Sequence, residues 1–140
     1  MESAAPETLR SERVLASRLL RVGALAALFS ASANAMVLTI ASSLLGAVVI
    51  PPGETVTLGQ VLAASVAGSI GAAVVFAVVS RFARRPVRAF WGIAAVGLLL
   101  SFVPIALAGA NGWSAGTLAL MHAVAAATNV GLLTKLSQKG

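Results

Sequence analysis

Between Arg21 and Lys135 the only charged residues are Glu54 and the cluster Arg81, Arg84, Arg85 and Arg88. The long stretches between them are apolar, and that pattern narrows the fold more than any motif does. Over the whole chain 59% of residues are hydrophobic and 10% charged, against about a quarter charged in a soluble domain. A soluble core of 140 residues has too little interior to hide that much apolar surface, whereas lipid can. In hydrocarbon every backbone N–H and C=O must find a partner within the chain, so the apolar stretches are expected to be helices. The expected fold is all-α, an integral membrane four-helix bundle.

Punctuation divides the chain into spans. Span 1 is expected over residues 22–49, ended by Pro51, Pro52 and Gly53, because proline cannot continue a helix and disfavours helical geometry before it. A short polar loop with Glu54, Thr55 and Thr57 follows. Span 2 is expected over 58–80, and Arg81 to Arg88 form a basic turn whose Pro86 suits the first turn of a helix. Span 3 is expected over 89–108, with Phe90 and Trp91 at the interface where amphipathic rings settle. Span 4 is expected over 115–134, after a turn at Asn111, Gly112 and Trp113 with Ser114 as its helix cap. Pro104 is a candidate kink in span 3.

Residues 1–21 form a separate basic segment ahead of the transmembrane domain at 22–140. Leu9, Val14, Leu15, Leu19 and Leu20 are interspersed with Arg10, Arg13, Arg18 and Arg21. Two readings stand: an amphipathic segment lying along the interface, or a tail running into a continuous first helix. Arg18, Arg21, an apolar stretch and Ala33-Asn34-Ala35 also resemble a cleavable signal. The apolar run continues to Val49, well beyond a signal's apolar region of about 7–15 residues, which favours an uncleaved anchor that intact-mass measurement would verify.

All ten bases fall at one end of the alternating spans, in the N-terminal segment, the middle turn and the tail. By the positive-inside tendency that end is cytoplasmic, so both termini are expected inside, in a bacterial plasma membrane. Arg81, Arg84, Arg85 and Arg88 are candidate contacts to anionic lipid headgroups. In this setting the formal charge of +6 reads as topology and lipid contact, and no nucleic-acid partner is expected.

The chain has no Cys, one His and four acids, none within an apolar run. This leaves no paired carboxylates, no thiolate nucleophile and no multi-histidine metal set, so neither an enzyme nor a cofactor is expected. The polar residues within the spans are then the informative ones. Asn34, Ser69, Ser101, His122 and Asn129 are candidates for a polar layer inside the bundle, because Asn or His facing lipid is costly. Hydrogen bonding between helices is the plain role for such a layer; a ligand pocket or proton-responsive site at His122 is the functional one. Small residues recur at every fourth position along span 2. Ala64, Gly68 and Ala72 make one candidate helix-packing face, and Ser65, Ser69 and Ala73 a parallel row. Span 4 has a similar row of Ala119, Ala123, Ala127 and Gly131.

The span pattern, the proline after span 1, the arginine-rich turn and Leu120-Met121-His122 resemble a family of small, uncharacterised four-span membrane proteins common in actinobacteria. That resemblance covers about Arg18 to Leu136 and implies an architecture and a location without a reaction. A superficial likeness to small multidrug carriers fails, because those need a carboxylate in the first span where this chain has Asn34. The expected role is a non-enzymatic accessory or assembly subunit, or a small scaffold, partnered by the bilayer and by a larger membrane protein or further copies of itself. The alternative is a small-molecule binding or transport module around His122, Asn34 and Asn129. A transport route would require those three residues to face one continuous cavity.

Overall fold

The computed structural model describes the backbone of residues 5–137 and the side chains of residues 17–135. Four helices carry the fold: α1 (Ala5–Leu45), α2 (Leu58–Phe82), α3 (Pro86–Leu107) and α4 (Gly112–Ser137). Each contains a stretch long and apolar enough to cross a bilayer: Ser17–Leu45, Leu58–Phe82, Pro86–Leu107 and Gly112–Lys135. The chain is therefore a multi-pass membrane protein with the expected number of spans. Of the two readings for the N-terminal segment, the backbone adopts the continuous first helix. The side chains of Arg10 and Arg13, and Lys139, lie outside the described residues.

Span 1 ends four residues earlier than expected. Gly46 takes a left-handed φ of 91°, a conformation costly for residues with a Cβ, and stops α1 there. The following segment is a small antiparallel hairpin, β1 (Val49–Ile50) with β2 (Glu54–Thr55), in place of the simple polar loop. Its β-branched residues flank Pro51-Pro52-Gly53, a combination that favours extended strands around a turn. The hairpin is tied to the bundle on two sides. Val48 is fully buried, its carbonyl accepting from the Val56 N–H at 2.8 Å, and the Val49 N–H donates to the Ser114 hydroxyl at 3.2 Å.

That bond revises the expected cap of α4. Asn111 is the capping residue, its side-chain oxygen accepting the Ser114 N–H at 2.9 Å, while Ser114 holds the hairpin. At α2, Thr57 and Gln60 form a reciprocal capping box. Pro104 lies inside α3 in its last turn, and the helix runs on to Leu107 before Gly109 takes a left-handed φ of 65°.

Helices α1 and α2 pack through stripes with a period of four. Val22, Ala26, Ser30, Asn34 and Leu38 are the buried line on α1; Val61, Ser65, Ser69 and Phe76 are that on α2. The closest approach is at Gly23, where a Cβ would sit 3.3 Å from the Ala73 Cβ, so glycine allows the two backbones to meet. The selected row on α2 is thus Ser65, Ser69 and Ala73. Ala64 and Gly68 are exposed and Ala72 is only partly buried, which corrects the expectation that Ala64, Gly68 and Ala72 form the intramolecular packing face. On α4 the burial falls on Ser114, Thr117, Met121, Asn129, Val130, Leu133 and Thr134, with Ala127 of the small-residue row exposed.

The apolar core has two parts. At the end carrying the arginine turn, Val22, Phe76, Phe90, Val130 and Leu133 pack together, so all four helices contribute. Phe76 and Phe90 meet edge to face, with centroids 5.0 Å apart and planes at 70°, the arrangement their ring quadrupoles favour. Phe90 is therefore a core residue and no interfacial anchor, while Trp91 is exposed as an anchor would be. At the hairpin end, Leu38, Val48, Val61 and Met121 pack with Val37, Val56, Trp113 and Leu118, without any residue of α3.

Candidate functional site

Three of the buried polar residues, Thr117, Asn129 and Thr134, hydrogen-bond within their own helix. Thr117 and Thr134 donate to the carbonyls of Trp113 and Val130, four residues back, as hydroxyls in apolar helices commonly do. Ser101 donates to the Leu98 carbonyl, three residues back, at 2.6 Å. It stands partly buried on α3, away from the other candidates.

Asn34 is different, because its partner is on another helix. Its Nδ2 donates to the Ser65 hydroxyl of α2 at 3.0 Å, and both residues are 5% exposed. Its Oδ1 has no partner. One turn along each stripe, Ser30 and Ser69 are the next positions in the same antiparallel register. Both are fully buried, with hydroxyl oxygens that have no partner. Helices α1 and α2 thus share a short polar ladder through the middle of the bundle. Unpaired groups in an apolar interior are costly, which sets this ladder apart from the hydroxyls that bond within their own helix.

Asn34 also lines a cleft of about 500 Å³ between α2 and α4, closed at one end by Ile50 and Val56 of the hairpin region. Its walls are Val61, Ala64, Gly68, Leu118, Met121 and Ala125, and its polar groups are Asn34, Gln60, Ser65 and His122. The absence of a side chain at Gly68 helps make the space: a Cβ there would meet nothing within 4 Å. His122 is exposed at the cleft, its Nδ1 2.8 Å from the Leu118 carbonyl. A carbonyl only accepts, so Nδ1 carries a proton, and Nε2 is the ring nitrogen left for another partner.

The expected polar layer is therefore only partly assembled. Asn34 and His122 share the cleft. Asn129, whose Nδ2 donates to the Ala125 carbonyl at 2.8 Å, lies one turn beyond the cleft lining among the residues of the arginine-end core. Ser69 belongs to the α1–α2 ladder, and neither it nor Ser101 lines the cleft. The three residues that a transport route required do not face one cavity, and the aromatic and aliphatic cluster fills the bundle beyond it. Sequence reasoning missed Gln60 at the cleft, and it noted Ser65 only as a small residue, not as the partner of Asn34. The four-residue spacing of Ser65 after Val61 held that signal, though only the register against α1 makes it a hydrogen-bond partner.

The arginines occupy the opposite end. Arg81, Arg84, Arg85 and Arg88 are all exposed around the α2–α3 turn, as contact with headgroups requires.

A family model described as "Family of unknown function (DUF6069)" matches residues 14–139. No curated protein and no solved structure matches the chain.

Proposed function

The chain belongs to this family of unknown function, and we propose that it serves its membrane as a non-enzymatic accessory or assembly subunit that docks a larger membrane protein through α3. The observation that supports this reading is the poverty of α3's contacts at home. Of its 22 residues only Phe90 is buried, and the hairpin-end core forms without it. Ile93, Val96, Leu99, Leu100, Val103 and Leu107 all stand exposed. Gly92 and Gly97 face open space, which would let a second helix come close. The membrane is taken to be a bacterial plasma membrane with the arginine end cytoplasmic, on the strength of the one-sided charge. A transport role has less support, since Asn129 is absent from the cleft.

The test is purification from native membranes in mild detergent, with a photo-crosslinking residue at Leu99 or Val103. The expected result is one larger membrane protein, or a second copy of the chain, cross-linked from α3 and lost when the crosslinker is moved to the cleft wall. A monodisperse monomer that cross-links only to lipid would sink the proposal.

A further inference from the structure

We propose that the cleft between α2 and α4 is a binding site for an uncharged, hydroxyl-bearing amphiphile, a long-chain alcohol or glyceride whose head reaches Asn34 and His122. This site is separate from the α3 surface and does not depend on it.

Three observations select that occupant. First, the polar groups at the cleft offer both donors and acceptors, since Thr57 holds the Gln60 amide oxygen and leaves its Nε2 to donate. Asn34 is 5% exposed and its Oδ1 is left to accept, and with His122 Nδ1 held 2.8 Å from the Leu118 carbonyl, Nε2 is left for a ligand. The Ser65 hydroxyl already accepts from Asn34 and has its own proton to donate. A ligand hydroxyl, being both donor and acceptor, satisfies such a set; an ether or an alkane does not. Second, among the described residues none that lines the cleft is an acid, a lysine or an arginine, and the described bases within the spans' flanks lie at the other end of the bundle. A phosphate or carboxylate would enter a low-dielectric site without a counter-ion, which is strongly unfavourable. Third, the size is wrong for a helix. One helical turn, a cylinder about 5.4 Å tall and about 11 Å across, already fills roughly 500 Å³. The cleft volume of about 500 Å³ instead lies within the range of small-molecule sites, about 300–1,000 Å³.

The position suits a lipid that enters sideways. The cleft runs from the hairpin at Ile50 to Gly68, ten residues into α2, about 15 Å along the helix and so near the bilayer middle. Ala64 and Gly68 supply a smooth wall against which a hydrocarbon chain lies flat.

The experiment uses the full chain in nanodiscs with a diazirine-bearing hexadecanol, and compares it with the matching methyl ether and the matching fatty acid. The alcohol is expected to label peptides spanning Gln60 to Gly68 or Met121 to Ala125, and unlabelled hexadecanol to compete. The methyl ether is expected to label about fivefold less, the effect of losing one hydrogen bond. Gly68→Leu, which fills the cleft from an open position, is expected to abolish labelling while the protein still elutes as a folded species. Asn34→Leu supplies a second variant that removes the acceptor, and should level the alcohol with the ether. Equal labelling by alcohol and ether in the parent chain would overturn the proposal, since it would show a greasy groove with no hydroxyl recognition. Labelling that spreads over α3, survives Gly68→Leu, or is as strong with the fatty acid would overturn it as well.

Discussion

The two halves of the bundle are built on different terms. Toward the arginine turn, large side chains from all four helices close the interior, and the Phe76–Phe90 contact carries α3. Toward the hairpin, three helices and a strand pair share a smaller core, and the space between α2 and α4 is left as a cleft. The same helices thus supply rigidity at one end and a vacancy at the other. The side chains that change along α2, from Ala64 and Gly68 to Phe76, set the difference. In lipid, where association rests on packing rather than on escape from water, a run of small residues either brings two helices together or leaves a gap. Gly23 against Ala73 is the first case, and Gly68 is the second.

The comparison can be broken most forcefully at Phe90. Phe90→Ala should cost about 3–5 kcal/mol, the usual range for removing a buried phenyl ring, and should free α3 from the bundle. Denaturation in mild detergent, together with protease sensitivity of the 83–111 segment, would measure it. A loss no larger than that at exposed Trp91 would mean α3 is held by something else. Gly23→Leu comes next. It forces a side chain into the 3.3 Å approach to Ala73 and should destabilise by about 1–3 kcal/mol.

The matching change in the open half has the opposite sign. Gly68→Ala adds a methyl where nothing lies within 4 Å and removes a helix-interior glycine, so it should stabilise by roughly 0.5–1 kcal/mol in the same unfolding assay. The smallest effect is expected at Ser65→Ala, which removes the acceptor of the Asn34 bond. Inter-helical hydrogen bonds in membranes average about 0.6 kcal/mol, and a cost several times larger would show that the polar ladder, not packing, organises α1 and α2.

Much of the architecture was legible in the residues. The charge gaps gave four spans, and Pro86, the arginine turn and the proline pair placed their ends within a few residues. The hairpin goes beyond the helix stop that Pro51-Pro52-Gly53 signals; the β-branched Val48, Val49, Ile50 and Val56 around it carry the strand signal. The packing row on α2 was not decidable from α2 alone. Two rows of small residues run in parallel there, and only Gly23 on α1, far away in sequence, picks the one with Ala73. Asn34 and His122, two candidates for an inward polar layer, both line the cleft, with His122 exposed there. Asn129 does not, because an i+7 spacing puts it on the same face as His122 but about 10 Å further along the axis, past the end of the cleft.

A chain without cysteine allows the central claim, closed at the arginine end and open at the hairpin end, to be tested by two engineered pairs. In Gly23→Cys/Ala73→Cys the Cβ atoms would stand near 3.3 Å, close to the span of about 3.5–4.5 Å that a disulfide bridges. In Gly68→Cys/Ala125→Cys both positions line the cleft, with no Cβ partner within 4 Å of Gly68. Under mild oxidation in nanodiscs the first pair should cross-link nearly completely and the second should stay reduced. Ready cross-linking of the second pair, or failure of the first in a folded protein, would contradict the account.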